Sequence, residues 1–180
     1  MSQNYVCKIA SEDEVIAKWD ALVAQHPTEP NWVVWKAETL IDVRSGKNIP
    51  YYGILDGEII CEAYATPNYD PASESGGAPT ASAEPHTDTV QTPQSPTAYL
   101  SAFRTVKEHR GQGYFSKLMS FMLADLKQKG FKRAILGVEP EEAENKAMYR
   151  HWGFTEMIYV GTCTYPDGEV IDVEYYAKTL

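Results

Sequence analysis

Residues Ala134-Ile135-Leu136-Gly137-Val138 form an unbroken apolar run, too short for a helix and without the alternation of a strand that has one wet face. Such a run reads as a strand covered on both sides, so it demands a sheet with helices above and below it. The sequence supplies them. Before the run, Phe115, Leu118, Met119, Met122 and Leu126 recur at helical spacing, with Lys127 and Lys129 in the last turn and Gly130 as C-cap. After it, Pro140 with Glu141, Glu142 and Glu144 predicts a helix start, because carboxylates favour the positive end of the helix dipole; that helix ends at Gly153.

The rest of the chain extends the pattern. Residues 5–9 predict a strand, and Ser11 with Glu14 forms a capping box ahead of Val15, Ile16, Trp19, Leu22 and Val23. A second helix is expected from near Pro30, with Trp32, Val34, Trp35 and Leu40-Ile41 along it. Tryptophans at that spacing read as core packing rather than as cleft lining. Asp56-Gly57 between two β-rich runs predicts a hairpin with a type I′ turn. Residues 98–106, 154–165 and 169–176 read as further strands, the last two joined at Pro166-Asp167-Gly168. The expected order is strand, two helices, three strands, helix, strand, helix, two strands. That is a mixed α/β layout, neither doubly wound nor a barrel.

Between about residues 66 and 96 the composition changes to proline, serine, threonine, alanine and glycine with scattered acids. A segment with so few large apolar groups cannot offset its ordering entropy, so it reads as an insertion in one domain of 180 residues, mobile over much of its length.

Charge and composition narrow the chemistry. A net charge of −9 argues against nucleic acid as a partner. No apolar run is long enough to span a bilayer, and residues 1–4 do not read as the start of a secretory signal. Cys7, Cys61 and Cys163 are odd in number and widely spaced, which suits buried free thiols in a reducing cytoplasm. Neither a Cys-x-x-Cys pair nor a histidine pair at helical spacing is present, so no metal site is expected.

The chemistry concentrates at Arg110-Gly111-Gln112-Gly113, where a strand passes into a helix beginning near Tyr114. Glycines let the backbone approach a ligand closely, and the free amides at a helix N-terminus attract phosphate or pyrophosphate. Two familiar phosphate motifs fail here. A dinucleotide fold would place a third glycine where Ser116 stands, and the Gly-Lys-Ser/Thr ending of a P-loop is absent.

Arg110-Gly111-Gln112-Gly113-Tyr114 resembles the Q/R-x-x-G-x-G/A signature of the GNAT superfamily of N-acetyltransferases, and Met148-Tyr149-x-x-x-Gly153-Phe154 resembles the ending of that family's second cofactor-side helix. Two departures stand out. Phe115 takes the place of a small residue, and Glu142 stands where an asparagine is usual, seven residues before Tyr149; Asn145 is placed to substitute for it. The resemblance implies a splayed, mostly antiparallel sheet and acetyl-CoA as donor. It implies that Phe103, Thr105 and Val106 on the strand, the turn Arg110 to Tyr114, Ser116, Asn145 and Tyr149 hold the cofactor. It further implies that the Phe103 amide donates to the oxyanion, a contribution of ~3 kcal/mol, and that Tyr149 is the general acid. For the base, Glu139 and Glu62 both stand open. The leading reading is that the acceptor is a primary amine of a small molecule; a protein acceptor and a non-catalytic CoA sensor are the alternatives. Tyr51-Tyr52 and Tyr175-Tyr176 are candidate pocket walls, although alternating burial explains them equally. Pairing of two copies as a homodimer is left open.

Overall fold

The computed structural model describes residues 4–69, 96–165 and 167–180. Seven strands form one sheet in the order β1-β2-β3-β4-β5-β7-β6: β1 Tyr5–Ile9, β2 Ile49–Leu55, β3 Glu58–Pro67, β4 Thr97–Thr105, β5 Arg133–Val138, β6 Glu156–Thr164 and β7 Val170–Thr179. Every neighbouring pair is antiparallel except β4 and β5. The helices are α1 Glu12–Gln25, α2 Asn31–Arg44, α3 Tyr114–Gln128 and α4 Ala143–His151, and the element order is the one expected from the sequence.

Local chemistry accounts for most boundaries. The Ser11 side chain accepts from the Glu14 amide while the Glu14 carboxylate accepts from the Ser11 amide, closing the capping box of α1 at a value of ~1 kcal/mol. Asp56 and Gly57 both have positive φ (49° and 94°), the requirement of a type I′ turn. Gly130, at φ 93°, follows the C-cap of α3. The helix after Pro140 starts at Ala143, later than the proline suggested, because residues 140–142 make a turn first. The compositionally distinct insertion falls almost wholly on residues 70–95, outside the described residues; β3 ends at Pro67 and β4 begins at Thr97.

The sheet is sandwiched. On one face α3 covers Tyr51, Ala63, Leu100, Leu136 and Tyr176, which bury with Leu118, Met122 and Phe154. On the other face α1 packs Val15, Trp19 and Leu22 against Tyr52 and Tyr64. Tyr51 and Tyr52 are therefore core residues on opposite faces, fully buried by strand alternation: the Tyr51 hydroxyl donates to Asp125, and Tyr52 meets Tyr64 hydroxyl to hydroxyl. The two tyrosines of β7 part in the same way. Tyr176 enters the α3-side core and donates to Glu174, while Tyr175 looks toward Tyr99 and Tyr159.

Candidate active site

The sheet opens in its middle. β4 and β5 pair in parallel only from Thr97↔Arg133 to Leu100↔Leu136; beyond that point β5 remains bonded to β7 and β4 to β3. The separation coincides with a bulge. Glu62 faces Arg104 and Tyr64 faces Ser101, so Ala102 and Phe103 together oppose Ala63, and Ala102 takes φ 54°. A non-glycine residue in that region signals a conformation imposed by its surroundings, and a bulge takes a residue out of the ladder. The outcome is a wedge with Phe103 to Thr105 on one lip and Gly137-Val138 on the other.

A cavity of about 1150 Å³ runs along the β4 lip to the start of α3, lined by Phe103, Thr105, Val106, Arg110, Gly111, Gly113, Tyr114, Ser116, Asn145 and others. Gly111 and Gly113 have φ of 73° and 78°, and a β-carbon at either would meet nothing within 4 Å, so conformation and not crowding demands glycine here. No side chain caps the N-terminus of α3, which leaves its first-turn amides directed at the cavity mouth. Lys18, Arg104, Lys107 and Arg110 contribute cationic groups to the lining. Open glycine backbone, uncapped helix amides and local positive charge together suit a pyrophosphate-bearing donor.

Most of the expected cofactor residues meet here, with some redistribution of roles. Arg110 donates through Nε to the Thr105 carbonyl at 3.0 Å, tying the turn to the end of β4. Gln112 turns back to the Glu108 carbonyl and is not among the lining residues. The Val106 amide donates to Ile60, and its carbonyl accepts from His109, so its backbone is already engaged. Tyr114 buries its ring against Tyr5, 4.7 Å between centroids, and its carbonyl accepts from the Tyr5 hydroxyl at 2.9 Å. Asn145 donates to Glu142 at 2.6 Å, joining the two positions that the family pattern distinguishes. Phe115 stacks on Trp152 and tilts against Phe103, so the bulky residue after the glycine turn is absorbed by an aromatic cluster.

Tyr149 belongs to that cluster. It is buried, meets Phe103 edge-on at 5.8 Å, and burial followed by the charge of Glu142 pushes its phenol up to about 12. Its setting is fixed from below. Gly153 at φ 90° ends α4, the Phe154 amide donates to the Tyr149 carbonyl at 3.0 Å, and the Phe154 side chain is fully buried in the core. The Gly-Phe pair thus anchors the helix turn that carries Tyr149.

The other lip borders a second cavity, about 480 Å³, lined by Tyr69, Tyr99, Gly137, Glu139, Glu142, Tyr165 and Tyr175 among others. Burial, then the neighbouring Glu142, Glu141 and Glu169, raise the Glu139 carboxyl above its ordinary range. Glu62 instead lies beside the larger cavity. It is 1% exposed and paired at 3.2 Å with Arg104, whose guanidinium lies 5.2 Å from the ring centres of both Trp19 and Trp32. Trp32, expected in the core, is half-buried and lines the larger cavity. Sequence reading missed this Glu62–Arg104–tryptophan assembly because its members come from β3, β4, α1 and α2. Cys61 is buried and Cys7 and Cys163 half-buried, all as free thiols. Among the described residues no cluster of His, Cys, Asp and Glu is arranged to hold a metal, and no helix is long and apolar enough to cross a membrane.

A splayed seven-stranded mixed sheet, with a glycine turn feeding a helix at the splay, defines an acyl-CoA-dependent N-acyltransferase fold. Residues 10–154 match the Acetyltransferase (GNAT) family, and the chain belongs to that family; it is an acetyltransferase whose donor is acetyl-CoA. Solved structures agree in fold. A ribosomal-protein-alanine N-acetyltransferase from Brucella melitensis superposes with TM-score 0.63 at 14% identity, covering 97% of this chain and 99% of its own. A GNAT family acetyltransferase from Elizabethkingia anophelis with acetyl-CoA bound gives TM-score 0.58 at 12% identity, covering 98% and 99%. No curated protein matches the sequence.

Proposed function

We propose that the chain works as one catalytic domain that moves the acetyl group of acetyl-CoA to a primary amine of a small molecule by direct attack. The observation that carries this reading is the wedge: where β4 leaves β5 the bulge carries Phe103, whose ring meets that of the buried Tyr149 edge-on at 5.8 Å. Acetyl-CoA supplies an activated thioester. The glycine turn and the start of α3 hold its pyrophosphate, and backbone groups at Phe103 and Thr105 hold the acetyl and pantetheine portion. The amide of Phe103 donates to the carbonyl oxygen as negative charge develops there. The C–N bond forms as the C–S bond breaks; Tyr149 gives its proton to the departing sulfur, and Glu139 takes the proton released by the amine. A phenol pushed up to about 12 stays protonated throughout the neutral range, as an acid must. A carboxyl raised above its ordinary range is a stronger base than an exposed one. Glu62, committed to Arg104, is assigned to positioning.

A small acceptor is favoured over a polypeptide by contacts across the face that an acceptor would enter. Asn31 of α2 donates to Asp167 at 2.7 Å, and Trp35 meets Tyr165 edge-on at 5.6 Å, so α2 and the turn between β6 and β7 bridge that side of the smaller cavity. The test is thiol release from acetyl-CoA with a panel of amines, followed across pH. Activity should climb as pH rises through the raised Glu139 titration, because the base works only when ionised, and Glu139→Gln should abolish that limb. Release with peptide N-termini alone, and with none of the small amines, would overturn the assignment.

A further inference from the structure

We propose that the smaller cavity binds an acceptor carrying a second positive charge, a short aliphatic diamine whose distal ammonium is held by tyrosine faces and by Glu142. The inference rests on the acetyltransferase reading above and names the substrate class of the same site.

The cavity lies on the α1 side of the sheet. Along β5, Leu136 and Val138 point into the α3-side core, so Gly137 between them faces the other way, toward Tyr99 and Tyr175. A β-carbon at Gly137 would come within 2.8 Å of Val173 Cγ1 and 3.3 Å of the Tyr99 hydroxyl; the missing side chain is what leaves the floor open next to the wedge. The larger cavity runs from the start of α3 past Lys18 and Leu22 of α1 and Trp32 of α2, and the two cavities border the two lips of the opening between β4 and β5.

The lining shows what is recognised. Tyr99, Tyr165 and Tyr175 supply aromatic walls, Glu139 and Glu142 supply carboxylates, and among the described lining residues there is no lysine, arginine or histidine. Aromatic faces and carboxylates both attract a cation, and nothing charged is there to receive an anion. One carboxylate is needed at the reacting nitrogen, and Glu139 fills that role. Glu142 remains; it lines this cavity and accepts at 2.6 Å from Asn145, which lines the larger one, so it stands where the two approach each other. A volume of about 480 Å³ accommodates a small ligand and not a folded chain. In such an acceptor one nitrogen attacks as the free base while the other stays an ammonium.

The test compares 1,4-diaminobutane, butylamine and 4-aminobutanoate at equal concentrations of the form with a free amine. The expected order of kcat/KM is diamine over butylamine by about tenfold, the worth of one charged hydrogen bond, with the amino acid anion last. Because the Glu142 charge also acts on Glu139 and Tyr149, Glu142→Gln should change kcat for both amines alike, and in addition raise KM about tenfold for the diamine alone. An equal rise in KM for both amines would overturn the role of Glu142. Calorimetry of 1,4-diaminobutane with CoA-loaded protein keeps the two readings apart. Binding heat without acetyl transfer defeats the small-molecule acceptor reading and leaves the cation site standing. Transfer to all three amines at one rate leaves the transferase standing and defeats the cation site.

Discussion

The two cavities flanking the wedge differ in construction and in charge. The donor side draws its shape from main chain: a bulge at Ala102-Phe103, glycines at 111 and 113, and the uncapped start of α3, with Lys18, Arg104, Lys107 and Arg110 around them. The acceptor side is made of side chains, chiefly tyrosines and glutamates, gathered from β4, β5, the segment before α4, and β6–β7. The larger cavity carries these cations together with Glu62, Glu108 and Glu144, whereas the described lining of the smaller one has carboxylates and no cation. On the proposed reading, backbone groups hold what every turnover shares, the pyrophosphate and thioester, while side-chain sites are free to differ from one enzyme to the next.

The comparison breaks most visibly if Tyr149, which is buried beside Phe103 and lines neither cavity, contributes nothing to turnover. Tyr149→Phe keeps the ring against Phe103 and Trp152 while deleting the proton. Loss of a general acid costs roughly 10²–10⁴ in kcat, and the thermal shift produced by acetyl-CoA should persist, since ligand binding is unchanged. Full turnover in the variant would remove Tyr149 from the mechanism. A smaller effect separates the donor half. Gly113→Val forces a β-branched residue to φ 78°, a strain of about 1–2 kcal/mol, so CoA affinity should fall about tenfold while the acceptor KM holds. An unaltered CoA affinity would mean that the turn is not the pyrophosphate site.

The same contrast explains what could be read from the sequence. Element order, the capping box, the Asp-Gly turn and the donor turn are local: each is written in residues close together in the chain, and each recurs in the structure. Tyr149 and its anchor Gly153-Phe154 span one helix turn, so they too were legible. Side-chain constellations were not. The Glu62–Arg104 pair under Trp19 and Trp32 joins residues up to 85 positions apart, and no spacing rule announces it. Tyr51-Tyr52 and Tyr175-Tyr176 look alike as dipeptides, yet of the four it is Tyr175 that lines one of the two cavities described, because strand alternation and the covering helix decide which face stays open. Phe115 looked like a defect in the motif until Trp152 and Phe103 were found around it.

The smallest expected effect probes the acceptor half alone. Gly137 was unremarkable as one residue of an apolar run, but it is the point where the second cavity reaches the wedge. Gly137→Ala places a methyl 2.8 Å from Val173 Cγ1 and 3.3 Å from the Tyr99 hydroxyl, so those side chains must give way and the floor must rise. Overpacking of this kind costs typically 1–3 kcal/mol, shared between stability and acceptor fit. The acceptor KM should increase several-fold, while CoA affinity stays put, because the donor cavity is lined by other residues. If both constants move together, the two cavities are one mechanical unit and the division of labour between main chain and side chain is less clean than their linings imply. If only the acceptor constant moves, Gly137 is where this chain's choice of amine is made.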